Sequence, residues 1–423
     1  MDKKYFESYT NILKEELVPA MGCTEPIAIA YAGAKAREVL GELPDCVTID
    51  VSGNILKNVK SVVVPNTEGL RGIPAAAAIG IVAGKADKEL EVLSEISKDE
   101  IAETRNFLSS TPITVNFAET PHIFDIMITL TKGENSAFVR IVEHHTNIVC
   151  IMKNNTTLFE KEVTVEENGL TDHSVLSIEN IIEFAEQVDL SAVTSTLSKQ
   201  IEYNMAIAEE GLRNSYGANI GSTLLSQNDK DIHQKMRAYA AAGSDARMNG
   251  CEMPVIICSG SGNQGITASV PVIVYAREKA KSDEELLRAL CVSNLVTIHL
   301  KAGIGRLSAY CGVVSAACGA AAGVAFLEGG RYDTIAHTVV NALAMDSGII
   351  CDGAKASCAA KIASSVDAGL LGLTMYQNGN QFYSGEGLVA KGVENTIRNI
   401  GSLARNGMAD TDKEIIRLML LSN

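Results

Sequence analysis

Residues 310–358 hold four of the chain's ten cysteines, Cys311, Cys318, Cys351 and Cys358, among small and poorly charged neighbours. Such a stretch has no face to offer water. It folds as closely packed buried helix, or it lines a site where backbone and thiols come near a ligand. Two uncharged runs, residues 253–276 and 307–327, sharpen the constraint. Both are long enough to cross a bilayer. The first is interrupted by a polar, Gly-rich segment and the second is mostly Ala, Gly, Ser and Cys, so burial inside a protein is the expectation for each.

The chain's 423 residues give room for two domains and a sizeable core. Hydrophobic residues make up 46% and charged residues 21%, a globular balance. With a formal charge of −15 and no clustering of Lys or Arg, the chain lacks the basic face that phosphate neutralisation needs, and a nucleic-acid partner is not expected. The first residues lack the apolar core of a signal peptide. A cytoplasmic protein with reduced cysteines is therefore expected, and clustered reduced cysteines are metal ligands or reactive groups more often than bridges.

Periodicity divides the chain. Helical spacing over 5–18 and 27–40 brackets Gly22-Cys23-Thr24-Glu25-Pro26, with Thr24 as N-cap and Pro26 in the tolerant first turn. Cys23 would then stand at a helix N-terminus, where the dipole lowers a thiol pKa, or be an inert thiol in a tight loop. Strands are expected at 47–51, 61–64, 113–118, 125–130, 137–143 and 148–153, with a further one near 162–165. A loop at 52–58 joins the first two, and helices are expected at 74–82 and 87–107. His144 and His145 are adjacent, point to opposite faces of a strand, and read as a strand end. From about 177 the text is helical: 177–188, 192–213, 231–242, 283–299, 396–405 and 412–421, with Asp352-Gly353 opening another helix. The fold class is α+β, a mostly helical catalytic domain with an inserted α/β domain carrying a mainly antiparallel sheet. The expected organisation is 1–45 as N-terminal helices packing with the catalytic domain, 46–175 as the α+β domain, and 176–423 as the all-helical domain.

The Gly-rich segment Cys258-Ser259-Gly260-Ser261-Gly262-Asn263-Gln264-Gly265 precedes a helix. Glycine lets backbone approach a ligand, and Ser259, Ser261, Asn263 and Gln264 supply hydrogen bonds. It lacks the Lys-Ser/Thr of a phosphate loop and a surrounding βαβ unit, so a small carboxylate suits it better than a nucleotide; an ordinary turn between helices is the alternative. For the cysteines, zinc fits poorly, because structural zinc sites pair ligands at C-x₂₋₄-C spacing and these are seven apart. An iron–sulfur cluster accepts thiolates from dispersed positions. Small, core-filling cysteines are the other reading, and Cys318 in its Ala/Gly run suits it best.

The motifs Gly22-Cys23-Thr24-Glu25-Pro26-Ile27-Ala28, Ser52-Gly53-Asn54-Ile55-Leu56-Lys57-Asn58, Ser259-Gly260-Ser261-Gly262-Asn263-Gln264-Gly265, Cys311-Gly312 and Cys351-Asp352-Gly353 together resemble the L-cysteine desulfidase family, relatives of the iron–sulfur L-serine dehydratases. The resemblance spans essentially the whole chain. It implies a [4Fe–4S] cluster held by Cys311, Cys351 and Cys358, and conversion of L-cysteine to pyruvate, ammonia and hydrogen sulfide. The serine dehydratases carry a Ser/His-rich substrate loop where this chain has Cys23, Thr24 and Glu25, which turns the expectation from serine toward cysteine. Serine dehydration and a non-catalytic amino-acid sensor remain the alternatives. Within that reading Cys23 is the candidate base and Lys57 the alternative. Ser259, Ser261, Asn263 and Gln264 hold the carboxylate, and Thr24, Asn54 and Asn58 close the site. The expected partner is a small amino acid, with no nucleic acid or membrane, and a homodimer is an open option. No lysine stands in a recognisable pyridoxal phosphate context.

Overall fold

A computed structural model of the protein describes residues 3–21, 24–163, 171–305 and 308–421. In chain order its helices are α1 (Lys3–Glu16), α2 (Thr24–Leu40), α3 (Gly53–Val59), α4 (Gly72–Ala83), α5 (Lys98–Ser110), α6 (Ile178–Gln187), α7 (Thr194–Arg213), α8 (Ile220–Gln227), α9 (Ile232–Met248), α10 (Gly262–Glu278), α11 (Asp283–Ile304), α12 (Gly312–Leu327), α13 (Tyr332–Asp346), α14 (Cys358–Gln377), α15 (Val393–Ser402) and α16 (Ala409–Leu421). The strands are β1 (Pro19–Met21), β2 (Cys46–Val51), β3 (Ile113–Phe117), β4 (Asp125–Lys132), β5 (Asn135–Val142), β6 (Ile148–Lys153), β7 (Thr156–Glu160) and β8 (Pro254–Ile256). The fold is α+β, as the alternating and helical periodicities require. Contacts divide it into a helical unit of residues 1–21, 169–351 and 356–412 and a sheet unit of residues 22–168, 352–355 and 413–423.

The helical unit is built around α12, which packs against α10, α11, α13 and α14. Every residue of α12 from Val313 to Leu327 is buried. Its small side chains let neighbouring backbones come close. A Cβ on Gly319 would stand 2.2 Å from Thr297 Oγ1 and 2.4 Å from the Ser293 carbonyl oxygen, so the α11–α12 contact needs glycine there. The uncharged runs are accounted for in the same way: residues 254–256 form β8, paired antiparallel with β1, and α10 is buried from Gly262 to Ala276. Among the described residues α11 alone is long and apolar enough to cross a membrane, and 67% of its apolar window is buried in the unit, as in a core helix.

The sheet unit carries six strands in the order β3-β2-β4-β5-β6-β7, with β2 and β3 parallel and the other pairs antiparallel. Register puts Val47, Ile49 and Val51 beside Leu130, Ile128 and Ile126, which in turn face Ala137, Val139 and Ile141. These nine side chains are buried on one face, against a core that also takes in α2 and α4. The chain from β6 to β7 turns through Asn154 and Asn155, both at positive φ, the pair of left-handed residues a two-residue hairpin loop favours.

Several expectations need correction. Helix α2, grouped from its sequence with the N-terminal helix, buries its apolar residues in the core of the sheet unit. Residues 61–64 make only an isolated bridge, Val63 with Arg71, because the following turn places Asn66, Glu68 and Gly69 at positive φ and ends pairing at once. The 52–58 loop is largely helix α3. The helix expected over 87–107 is interrupted: a short 3-10 segment, Ala86–Glu91, kinks at Glu89, and α5 starts only after Ser97, whose capping box with Glu100 marks the true N-terminus. The strand expected near 162–165 lies earlier, at β7; residues 164 and 165 fall outside the described ones. Asp352-Gly353 does not open a helix, since α14 begins at Cys358.

Candidate functional site

The helical unit brings Cys311, Cys351 and Cys358 together. Short antiparallel pairing aligns the first two: Cys311 N–H donates to the Ile349 carbonyl at 3.0 Å, Cys351 N–H donates to the Ala309 carbonyl at 2.6 Å, and Tyr310 bridges Ile350. The Cys311 and Cys351 thiols hydrogen-bond to each other, and Cys358 is near enough for its charge to be felt at Cys311. Cys311 is the N-cap of α12 and Cys358 the first residue of α14, so two of the three stand at helix ends that favour anionic sulfur. Against this, the hydrogen bond with Cys351, burial and the two neighbouring thiols push the Cys311 pKa well up. Cys311 keeps its proton unless a positive centre replaces it.

Cys318 is different. It is buried in the middle of α12, and burial pushes its thiol up. It belongs to the core, as its Ala/Gly surroundings indicate.

The Gly-rich segment is a turn and a helix N-terminus. Cys258 and Ser261 exchange backbone hydrogen bonds at 3.1 Å around Ser259 and Gly260, both at positive φ. Ser261 then caps α10, accepting from Gln264 N–H at 3.5 Å. Asn263 and Gln264 are 7% and 6% exposed. The Gln264 carboxamide lies where a Gly312 side chain would begin, with its Cδ 2.6 Å from that Cβ position, directly after Cys311 in the chain. Among the described residues, buried Gln264 Oε1 has no hydrogen-bond partner, and neither has Ser315 Oγ, one helical turn beyond Cys311. Two orphaned polar atoms around the first turn of α12 mark a place where another group belongs, since a buried unsatisfied polar atom costs about 1–3 kcal/mol. Among the described residues no three His, Cys, Asp or Glu side chains stand close enough to share one metal ion. A cluster binds each thiolate to a separate iron, so it does not require that spacing. Soft thiol donors, two of them at helix N-termini, fit an iron–sulfur cluster.

The sheet unit gathers a polar group of its own. Thr24 opens α2, and its Oγ1 lies 2.9 Å from His145 Nε2. Asn58 Nδ2 donates to Glu25 Oε1 at 3.4 Å and to Asn54 Oδ1 at 3.2 Å, Asn54 and Asn58 being one turn apart in α3. Lys57 is buried in α3. Gly353, at φ +93°, packs on the Lys57 carbonyl, where a Cβ would stand 2.0 Å from the oxygen; this explains the glycine of Cys351-Asp352-Gly353. Cys23 lies outside the described residues.

The sequence reading gave no site role to two side chains that the structure places beside these loops. His145 lies in a turn after β5, edge-on to the Phe124 ring at 4.7 Å, and burial lowers its pKa, so the ring is neutral near pH 7. Arg247, near the end of α9, lays its guanidinium over Gly262 and donates from Nη1 to Asn263 Oδ1 at 3.4 Å. Periodicity carries no signal for either; only tertiary folding brings them to these loops.

The model of the serine dehydratase alpha chain family matches residues 87–417. The chain belongs to the serine dehydratase alpha chain family. The match takes in the three thiols and the Gly-rich turn, and begins after the Gly22–Asn58 motifs. Relatives extend over the whole length. A UPF0597 protein of Desulfitobacterium hafniense is 58% identical, covering 99% of this chain and 97% of the relative. One of Lachnoclostridium phytofermentans is 51% identical over 98% and 100%, and one of Treponema denticola 46% identical over 99% of each. Their shared name states no activity. The serine dehydratase alpha chain family points to amino-acid dehydratase or lyase chemistry and generally depends on iron–sulfur clusters.

Proposed function

We propose that this family member is an iron–sulfur L-cysteine desulfidase, eliminating sulfide from L-cysteine to give pyruvate, ammonia and hydrogen sulfide. The observation that carries the reading is the convergence of Cys351 and Cys358 on Cys311. These three residues would hold a [4Fe–4S] cluster. Bound there, it would supply an iron with an open position, a Lewis acid for the departing heteroatom. The chain's own residues bind and orient the substrate and move its protons. Ser259, Ser261, Asn263 and Gln264 hold the carboxylate at the turn before α10. Thr24, Asn54 and Asn58 are assigned to the rest of the substrate. Cys23 is the proposed base for the α-proton, with Lys57 as the alternative; the neutral ring of His145, bonded to Thr24, orients that hydroxyl. As the proton leaves Cα, its electron pair forms the Cα–Cβ double bond and the Cβ–S bond breaks. Sulfide departs and takes up protons, and the resulting 2-aminoacrylate tautomerises to an imine that water converts to pyruvate and ammonia.

Serine dehydration by the same residues is the second reading, favoured by the family to which the chain belongs. Replacement of a Ser/His loop by Cys23-Thr24-Glu25 favours cysteine. Protein purified without oxygen should be brown, carry about four irons per chain, and release pyruvate and sulfide in equal amounts from L-cysteine. Cys311→Ala should lose colour and turnover together. Faster pyruvate release from L-serine selects the second reading, and no pyruvate from either amino acid overturns both.

A further inference from the structure

Arg247 has geometry but no task so far. It sits in the last turn of α9, at the start of the link through Gly250 (φ +96°) and β8 to the Gly-rich turn. Its guanidinium covers the first residue of α10: a Cβ on Gly262 would stand 2.3 Å from Nε and 2.7 Å from Cζ. Glycine at 262 therefore makes room for the cation. Beyond it, in the same unit, come Asn263, which Arg247 contacts, and Gln264, which reaches Gly312 beside Cys311.

Three features at this spot suit an anion. The first-turn N–H groups of a helix lack intrahelical acceptors and lie at its positive end. A guanidinium fork matches a carboxylate with two parallel hydrogen bonds. The Gln264 side chain, 6% exposed, turns its carboxamide toward Gly312, and its Oε1 has no hydrogen-bond partner among the described residues. Its amide can turn either end toward a ligand, and a carboxylate or an ammonium on one small molecule would satisfy it. A phosphate is less suited, since the turn lacks a phosphate-loop lysine.

We propose that Arg247 is the carboxylate anchor for a small α-amino acid, pairing its guanidinium with the α-carboxylate at the N-terminus of α10, while Asn263 and Gln264 flank it. This rests on the reading of the site as one for an amino acid, and it adds the residue that selects for the carboxylate. An anchor remote from the breaking bond acts mainly on binding, so its loss raises KM more than it lowers kcat.

The test uses binding and turnover side by side on the full chain. L-Alanine has no β-leaving group and reports binding alone; L-alaninamide lacks the negative charge. L-Alanine at millimolar concentration should raise the melting temperature of the wild-type protein and the amide should not. Arg247→Gln should abolish the rise, and Arg247→Lys should restore part of it. Gly262→Ala, which pushes the guanidinium aside while keeping its charge, should weaken it. In turnover, Arg247→Gln should raise the KM for L-cysteine about a hundred-fold and erase the preference for L-cysteine over L-cysteinamide, with iron content unchanged. The proposal is overturned if Arg247→Gln keeps the wild-type response to L-alanine or the wild-type preference over the amide. It is overturned as well if none of L-alanine, L-serine and L-cysteine shifts the wild-type melting temperature. Carboxylate-dependent binding through Arg247 without pyruvate release leaves the anchor standing and removes the lyase reading alone.

Discussion

Cys311 and Cys318 lie seven residues apart on one stretch of chain, and their surroundings separate their roles. Cys311 caps α12 and touches Cys351; Cys318 packs among buried apolar side chains. Cys318→Ala should keep colour and iron content and lower stability by about 1 kcal/mol, read from denaturant unfolding, whereas Cys358→Ala should lose the visible absorbance. Loss of absorbance in Cys318→Ala would count that residue among the ligands. His145 gives a pH signature. Burial sets its folded pKa below the ordinary imidazole value of 6.5, so the unfolded chain binds the proton more readily just below that pH. Its contribution to stability is intact above pH 6.5 and lost as pH falls toward the folded value. His145→Asn should remove that slope from the dependence of the melting temperature on pH. At this scale the sequence was informative for Cys318, whose Ala/Gly run matches its burial in α12, while the grouping of Cys311, Cys351 and Cys358 came from the resemblance. It was silent on Arg247, which lies fifteen residues before Gly262. It placed His145 at a strand end, where the turn after Val142 does put it, but carried no sign of its contact with Thr24.

At the scale of elements, close helix contacts rest on single glycines. A Cβ on Gly80 would stand 2.0 Å from the Ala30 carbonyl oxygen, so α4 and α2 must separate to admit one. Gly80→Ala should cost about 2 kcal/mol or more, measured by denaturant unfolding; a cost under about 0.5 kcal/mol would mean that the helices yield freely. Strands with one face buried were legible from alternation, as in β4 and β5, where Ile126, Ile128 and Leu130 oppose Ile141, Val139 and Ala137. Elements set by turns were not. Residues 61–64 have β-branched side chains but no room to pair before Asn66 turns, and the Ser97-Glu100 capping box outweighs the continuous charge pattern that suggested one long helix. Local propensity lost in each case to a backbone reversal a few residues away.

Across the molecule, one buried carboxyl shapes the acid response. Asp245 is fully buried and accepts from Gly221 N–H at 2.9 Å, and burial pushes its pKa up to about 6. Between the ordinary carboxylate value of 3.8 and about 6 the folded chain holds a proton that the unfolded chain has lost, so this group's contribution falls as pH rises through that window. Asp245→Asn should flatten the window and raise the melting temperature at pH 7; an unchanged profile would show that the carboxyl ionises in the fold at no cost. The sheet unit carries a different consequence. Its residues come from three separate lengths of chain: 22–168, 352–355 and 413–423. Ile416 comes against Gly53, Lys60 donates to the Met419 carbonyl, and Gly353 seals the Lys57 carbonyl. The portion translated first therefore waits, with its flank open, until some 250 further residues have left the ribosome. A fragment trimmed to 22–168 would carry that open flank permanently and should stick to itself.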